Sequence, residues 1–322
     1  MRKATILFNP NSGRGRKRRD RELDIAIGII QSAGVHTDLT VCRSSHEATI
    51  HARYAVAAGS DTVFACGGDG TIHDVIQELA GTPVALAILP FGTANALAHD
   101  LGLPLRPSEA ARAAVNGTMR RFPLGRVEYE DFEGKPAARY FTVAAGIGVD
   151  AHLFYKLTSK LKNNSGMTAY YMKAWQLWAT YNMRRFEVEW CNGSGHKQQA
   201  LLTELLAVRI RFFGNVLREL VPGASLDLPD LRAVMCRTAS RTAYLQYVTA
   251  ALLGWRERKI DGIDLVSCSE IVCQLPASAR ARPGSNERVY LEADGELLGR
   301  LPARMTMQAD ALSLIVPRQK VE

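Results

Sequence analysis

The pentapeptide Gly67-Gly68-Asp69-Gly70-Thr71 restricts the fold of this chain more than any other stretch. It joins an apolar run at 62–66 to a helix-like segment at 71–79. Glycines at a strand-to-helix turn let the backbone approach an anion without a Cβ clash. The helix start then offers free N–H groups and the positive end of its dipole. A plain tight turn held by Asp69 is the simpler alternative. Two further turns repeat the pattern. Asn9-Pro10-Asn11-Ser12-Gly13 follows the β-type run 5–8, and Leu89-Pro90-Phe91-Gly92-Thr93-Ala94-Asn95 closes the apolar run 84–89. Each alone is only a turn. Three polar, glycine-bearing turns on one sheet edge make a phosphate-lined crevice. No GxxxxGK[ST] occurs, so this is not a Walker A loop.

The spacing around these turns predicts alternating strands and helices. Leu23, Ile27 and Ile30 share one helical face. Residues 35–41 alternate apolar and polar, as a half-buried strand does. Ser44 followed by Glu47 is a capping-box signal for a helix reaching about residue 58. Helices are also expected at 94–101 and 108–115. This alternation implies a parallel sheet with helices on both faces, whose ligands bind at the carboxyl ends of the strands. From Phe122 the texture changes to short β-like runs at 140–143, 186–190, 205–210, 231–236, 264–275, 289–293 and 312–316. An antiparallel β-rich domain is expected there. Helices are expected near 169–181 and 243–253, a turn at 192–195 and an exposed loop at 279–284.

With 322 residues the chain suits two domains. Net charge is +8, and Arg14, Arg16, Lys17, Arg18, Arg19 and Arg21 crowd one segment. Such a run is a solvated face or an anion-binding one. It lacks aromatic interleaving, and no helix-turn-helix or RNP pattern occurs, so nucleic acid is not an expected partner. No apolar run approaches the ~18–20 residues that span a bilayer, and Ile6-Leu7-Phe8 stops at Asn9-Pro10 without a signal-peptide core. A cytoplasmic location follows as the expectation. Six scattered cysteines form no CxxC pair and read as small core residues.

Near the C-terminus, Glu292-Ala293-Asp294-Gly295-Glu296 sets three carboxylates around a glycine. It reads as an acidic hairpin turn or as a source of a general base. GGDGT, with NPNSG before it, LPFGTAN after it and ADGE at the end, resembles the diacylglycerol kinase catalytic-domain family, especially its soluble bacterial lipid kinases. That superfamily also includes NAD kinase and sphingosine kinase.

The resemblance implies an α/β nucleotide-binding domain like that of phosphofructokinase and NAD kinase, over 1–122. An antiparallel β-sandwich would follow over 123–301, with 302–322 returning to the first domain and the active site in the cleft between them. By the same resemblance, ATP would be contacted by Asn9, Pro10, Asn11, Ser12, Gly13, Gly67, Gly68, Asp69, Gly70, Thr71, Ile72, Gly92, Thr93 and Asn95. Glu296 would take the acceptor's proton, with Asp294 beside it, and Asp69 would hold the nucleotide-metal centre or itself act as base. The reaction implied is transfer of the γ-phosphate of ATP to diacylglycerol or a related lipid alcohol, giving a phospholipid such as phosphatidate.

The chain departs from the family pattern in four places. Asn95 precedes Ala96 where Asp is usual. His73-Asp74 replaces Asn-Glu, and Cys42 stands for a nucleotide-contacting Thr. At the structural Mg2+ site, Leu228 takes the place of the metal-binding Asp, leaving Asp227 or Asp230 as substitutes. The alternatives are an NAD kinase-like enzyme or a catalytically impaired nucleotide- and lipid-binding protein. Peripheral contact with the anionic inner face of the membrane is expected through residues 14–21, or through Lys156, Lys160 and Lys162 beside Tyr170, Tyr171, Trp175 and Trp178. A homodimer is left open.

Overall fold

The computed structural model describes residues 1–13, 16–149, 151, 182–192, 196–213, 217–255, 259–277 and 288–318. Its chain divides into two units. One comprises Met1–Leu124, Phe212–Val216 and Gln308–Glu322, the other Gly125–Arg211 and Leu217–Met307.

In the first unit, β1 (Lys3–Phe8), β3 (Thr62–Gly67) and β4 (Ala85–Pro90) are buried almost throughout. Parallel strands covered on both faces require such continuous apolar runs. β2 (His36–Val41) differs from expectation: it forms, but Leu39 and Val41 are exposed. It is the outermost strand, with one neighbouring strand, so its apolar residues are not forced into the core. The order is β2-β1-β3-β4, followed by the C-terminal part of β16 (Glu296–Val316), and every pairing in it is parallel. The run read at 312–316 is thus the end of one long strand.

Helix α1 (Arg16–Ser32) buries Leu23, Ala26 and Ile30 against Phe8, Phe64 and the alanines of α5 (Pro107–Val115). α2 (Ser45–Ala57) begins at N-cap Ser44, whose hydroxyl accepts from the amide of Glu47. The Glu47 carboxylate returns the bond to the amide of Arg43, one residue before the cap. α3 (Asp69–Leu79) and the short α4 (Ala96–Asp100) each open directly from a glycine-bearing turn. α5 starts on Pro107, whose missing N–H costs nothing at that position.

The second unit is antiparallel. β5 (Thr118–Glu130), which carries the chain out of the first unit, forms a hairpin with β6 (Pro136–Phe141). β7 (Ala144–Gly148), β8 (Phe186–Asn192), β9 (Lys197–Leu202) and β10 (Glu204–Val208) follow. Two-residue β11 (Phe212–Phe213) belongs to the first unit, and β12 (Leu217–Arg218) to the second. β13 (Leu231–Cys236), α6 (Arg241–Leu252), β14 (Ile263–Gln274) and β15 (Tyr290–Ala293) complete the unit.

Strands run in the order β15-β7-β10-β13-β14-β8-β9. The first part of β16 pairs with β15 and then with β14, closing the sheet on itself. Phe141, Ile147, Phe186, Leu205, Met235, Ile271 and Met305 fill the interior. The strand expected at 140–143 is met only in part: residues 140 and 141 end β6 and the chain then breaks before β7, because the amides of residues 142–144 bond to a side chain. The helix expected at 169–181, most of the turn at 192–195 and the loop at 279–284 lie outside the described residues.

Glu22 on α1 ties that helix to α5. Its carboxylate accepts from Arg106 Nε at 3.0 Å and from the Ser108 amide at 3.4 Å. The Arg106 bond holds the Glu22 carboxyl below its usual value against burial, assisted by Ser108. A carboxyl depressed in the folded state stabilises above its unfolded pKa and loses that contribution as pH falls through the folded one. Glu22→Gln should therefore lower the melting temperature at neutral pH. The gap to the parent should shrink as the pH falls through the carboxylate range and close below it, as followed by circular dichroism.

Candidate functional site

The strand order of the first unit runs outward in opposite directions from β1 and β3, making a switch point between them. Crevices at such points bind ligands outside the strands' carboxyl ends. The turns after β1 and β3 flank this crevice, and the turn after β4 lies next to them. Side chains interlock all three. Ser12 Oγ accepts from the Gly68 amide at 3.2 Å, and Asn9 Nδ2 donates to Thr71 Oγ1 at 2.9 Å. Asp69 Oδ1 accepts from the Ala96 amide at 2.7 Å, joining the second turn to the start of α4.

The backbones approach too closely for side chains. A Cβ on Gly92 would lie 2.6 Å from the Cα of Gly68, and one on Gly13, at φ 69°, would collide with the carbonyl oxygen of Phe91. Asn95 is buried with φ 47° and bonds the Gly92 backbone both ways, through Oδ1 at 2.9 Å and Nδ2 at 3.0 Å. Arg19, read from sequence as part of a basic run that is either solvated or anion-binding, donates to the carbonyls of Ser12 and Gly13 at 2.6 and 3.1 Å.

The sequence-derived nucleotide residues therefore fall into two groups. Gly70, Asn11, Gly13 and Thr93 are exposed, and Gly68, Asp69, Asn9, Pro10, Ser12 and Gly92 are half-buried. Gly67, Thr71, Ile72 and Asn95 are buried and shape the turns. The amide of Ile72 donates within α3 to Gly68 O at 3.1 Å. Cys42 is buried at the end of β2, with its amide on Phe8 O at 2.8 Å. Burial, with Glu47 nearby, pushes its thiol up to about 11. His73 and Asp74 are buried within α3.

In the second unit, Asp294 and Gly295 form the two-residue turn between β15 and β16, at φ 48° and 81°. Asp-Gly suits a turn with both central residues left-handed. The Asp294 carboxylate accepts from the amides of Thr142, Val143 and Ala144 at 2.9, 2.8 and 3.0 Å, and from Thr142 Oγ1 at 3.1 Å. Four donors on one carboxylate make Asp294 an anchor of the turn. Glu292 is buried and accepts from the Gly295 amide at 2.9 Å. Glu296 is partly exposed, and Arg139 Nη2 on β6 lies 2.8 Å from its Oε2. Among the three carboxylates, Glu296 pairs with a side-chain cation on another strand. Arg139, which orients it, carries no motif and sits far away in sequence.

The segment expected to hold Mg2+ is built differently. Arg209, following β10, is 1% exposed. Its Nη1 donates to Leu228 O at 2.8 Å and to Asp230 O at 3.2 Å, and its Nη2 donates to Leu226 O at 2.7 Å. Burial pulls the guanidinium down to about 10, opposed by Asp227, so it stays charged at neutral pH. Asp230 Oδ2 accepts from Ser267 Oγ at 3.4 Å. Among the described residues, no three His, Cys, Asp or Glu side chains gather to hold a metal. Three carbonyls that this loop could offer a cation, those of Leu226, Leu228 and Asp230, are turned onto a built-in one, so among the described residues the loop does not fit a structural magnesium ion.

The chain matches two family descriptions. These are the diacylglycerol kinase catalytic domain over residues 3–127 and the YegS C-terminal NAD kinase beta sandwich-like domain over residues 142–316. A diacylglycerol kinase of Bacillus subtilis (strain 168) is 27% identical over 325 aligned residues, covering 100% of this chain and 99% of that protein. One from Staphylococcus saprophyticus is 31% identical over 230 residues, covering 70% of each chain. A solved diacylglycerol kinase structure from Bacillus anthracis str. Sterne is 17% identical and superposes with a TM-score of 0.70, covering 98% of this chain and 97% of its own. That superposition bears on the fold: a parallel α/β unit and an antiparallel β-sandwich.

Three measurements check the second-unit assignments. Asp294→Ala strands the amides of residues 142–144 and should destabilise by about 2–4 kcal/mol in denaturant titration. Arg209→Met should cost about 3 kcal/mol, since it leaves several buried carbonyls unpaired. EDTA should leave the melting temperature of the nucleotide-free parent unchanged. A drop of several degrees would show a metal in the loop after all.

Proposed function

This chain belongs to the diacylglycerol kinase catalytic-domain family of lipid kinases, and from that premise we propose that it moves the γ-phosphate of ATP onto the hydroxyl of diacylglycerol or a closely related lipid alcohol. The product would be a lipid phosphate such as phosphatidate. The observation that carries the reading is the open start of α3. Gly70 is exposed and Gly68 and Asp69 are half-buried there, locked by Ser12, Asn9 and Ala96. Fixed amides at a helix start suit phosphate oxygens, and phosphoryl transfer depends on positioning and charge neutralisation more than on covalent help from the protein.

In this reading the acceptor oxygen bonds to the γ-phosphorus as the bond to ADP breaks, and Glu296 takes the hydroxyl proton. Arg139 holds that carboxylate in place. Asp294 is a positioning residue, rigidifying the turn that presents Glu296. Asp69, with Oδ1 committed to Ala96, fixes two phosphate loops against each other. Magnesium arrives as the counter-ion of ATP and neutralises phosphate charge. The acceptor resides in a bilayer, and no helix of the described residues is long and apolar enough to cross one. Peripheral contact with an anionic membrane completes the reading.

One observation favours a second reading, a nucleotide- and lipid-binding protein without turnover: the loop at 226–230 is organised by Arg209. Incubation with γ-labelled ATP and a panel of diacylglycerol, a sphingoid base and NAD separates the readings. Label should enter lipid with diacylglycerol and should not enter NAD. Nucleotide binding without labelled product would select the second reading. Glu296→Gln should lower kcat by about a hundredfold or more, the range for loss of a general base, while nucleotide affinity holds. Unchanged turnover would remove Glu296 from the proton-transfer role.

A further inference from the structure

Helix α6 in the second unit has its sides reversed relative to an ordinary surface helix, which turns its large apolar residues inward. The residues it buries are Ala243, Tyr247, Ala250 and Ala251. Tyr247 is fixed inward by its hydroxyl, which donates to Leu220 O at 2.6 Å. The large aliphatic residues face solvent: Leu245 is 38%, Val248 43% and Leu252 50% exposed. Their spacing of three and four residues puts them on one stripe. The chain leaving the helix continues the patch with Leu253 at 60% and Trp255 at 62% exposure. Of the fifteen exposed large apolar side chains among the described residues, five fall within residues 245–255. Scattered exposed apolar residues need no explanation, but a concentration of this kind marks an interaction surface. Trp255 and Leu245 also border a groove of about 520 Å3, with Lys259 and Ile260 in its lining.

The charge around this patch is net basic: Arg241, Arg256, Arg258 and Lys259 outnumber Glu257 and Asp261. No Asp or Glu occurs between Asp230 and Glu257 in the sequence. Arg241 at the start of the helix and Lys259 beside the groove are exposed. We propose that the outward face of α6, with Trp255, is the surface by which this protein docks onto an anionic phospholipid bilayer. An apolar stripe bordered by Lys and Arg, with a Trp at its edge, is the composition that lies in a membrane interface: the indole sits at headgroup level and the cations meet lipid phosphates. A second copy of the chain fits less well. A two-fold contact through this face would bring the same net-basic border against itself. The inference rests on the reading of the protein as a peripheral lipid kinase and specifies which face meets the lipid.

The experiment is co-sedimentation of the full chain with vesicles of phosphatidylglycerol and phosphatidylcholine, compared with phosphatidylcholine alone. The parent should bind the anionic vesicles and release in high salt, because exposed charge attraction is screened. The double variant Leu252→Ser/Trp255→Ser should bind roughly tenfold or more weakly, from the loss of two inserted apolar groups. The control Leu39→Ser/Leu265→Ser, which removes exposed apolar residues elsewhere, should bind as the parent does. Melting curves of the variants should match the parent, since both residues are exposed. Turnover on a detergent-dispersed lipid alcohol should be retained in the Leu252/Trp255 variant while turnover on vesicles falls. If the parent does not bind anionic vesicles, the peripheral reading itself fails. If the parent binds and the Leu252/Trp255 variant binds equally well, this surface assignment is overturned while the peripheral reading stands. A dimer in light scattering that the double variant dissolves, with vesicle binding intact, would give the face to a second copy and overturn the proposal.

Discussion

The bond from the Ala96 amide to the Asp69 carboxylate depends on two backbone turns lying almost in contact. That contact is set by glycine: Gly68 and Gly92 face each other with no room for a Cβ, and Gly13 is pressed on the carbonyl of Phe91. Such an approach costs nothing sterically only where the side chain is a hydrogen. The rest of the first unit serves this approach. Buried parallel strands bring the turns to one edge, and the reversal of strand order between β1 and β3 opens the crevice in front of them. Asn9, Ser12, Asn95 and Arg19 then hold the turns by bonds to backbone or to one another, so the surface amides at the start of α3 are presented by a rigid frame.

The second unit works by a different constraint, the satisfaction of buried charge. Asp294 and Arg209 both bond to backbone partners, a carboxylate to the amides of residues 142–144 and a guanidinium to the carbonyls of Leu226, Leu228 and Asp230. A buried charge left unpaired would be strongly destabilising, so each fixes the loop around it. The acidic turn shows how this sorts chemistry from architecture. Three neighbouring carboxylates look alike in sequence. Only their partners distinguish the anchor Asp294 and the turn acceptor Glu292 from Glu296, whose partner is the side chain of Arg139. The surface of α6 follows the opposite logic: Leu245, Val248, Leu252 and Trp255 are exposed among the described residues.

Much of the first unit was legible in the chain. Apolar runs closed by Gly, Pro and Asn turns are local patterns, and local patterns specify strands, helix starts and the loops between them. The capping signal at Ser44 and Glu47 was read correctly apart from the return bond, which goes to Arg43. The strand at 35–41 was read correctly as a strand but not in its exposure, because burial depends on which strand lies outermost. The break between β6 and β7 was missed because its cause, the carboxylate of Asp294, is contributed by a remote segment.

By itself the sequence determined that turns rich in glycine and amides would sit at strand ends, that the second half would be β-rich, and that the acidic group would lie on a hairpin. These follow from backbone sterics and hydrogen-bonding capacity, which act over a few residues. The tertiary structure alone decided the strand order that makes the crevice. It also decided the pairing of Arg139 with Glu296, the seat of Arg209 in the loop expected to hold metal, and the outward turn of Leu245, Leu252 and Trp255. Each of these is a contact, or a lack of cover, between segments distant along the chain. Its energy comes from desolvation and partner geometry, which no local pattern encodes.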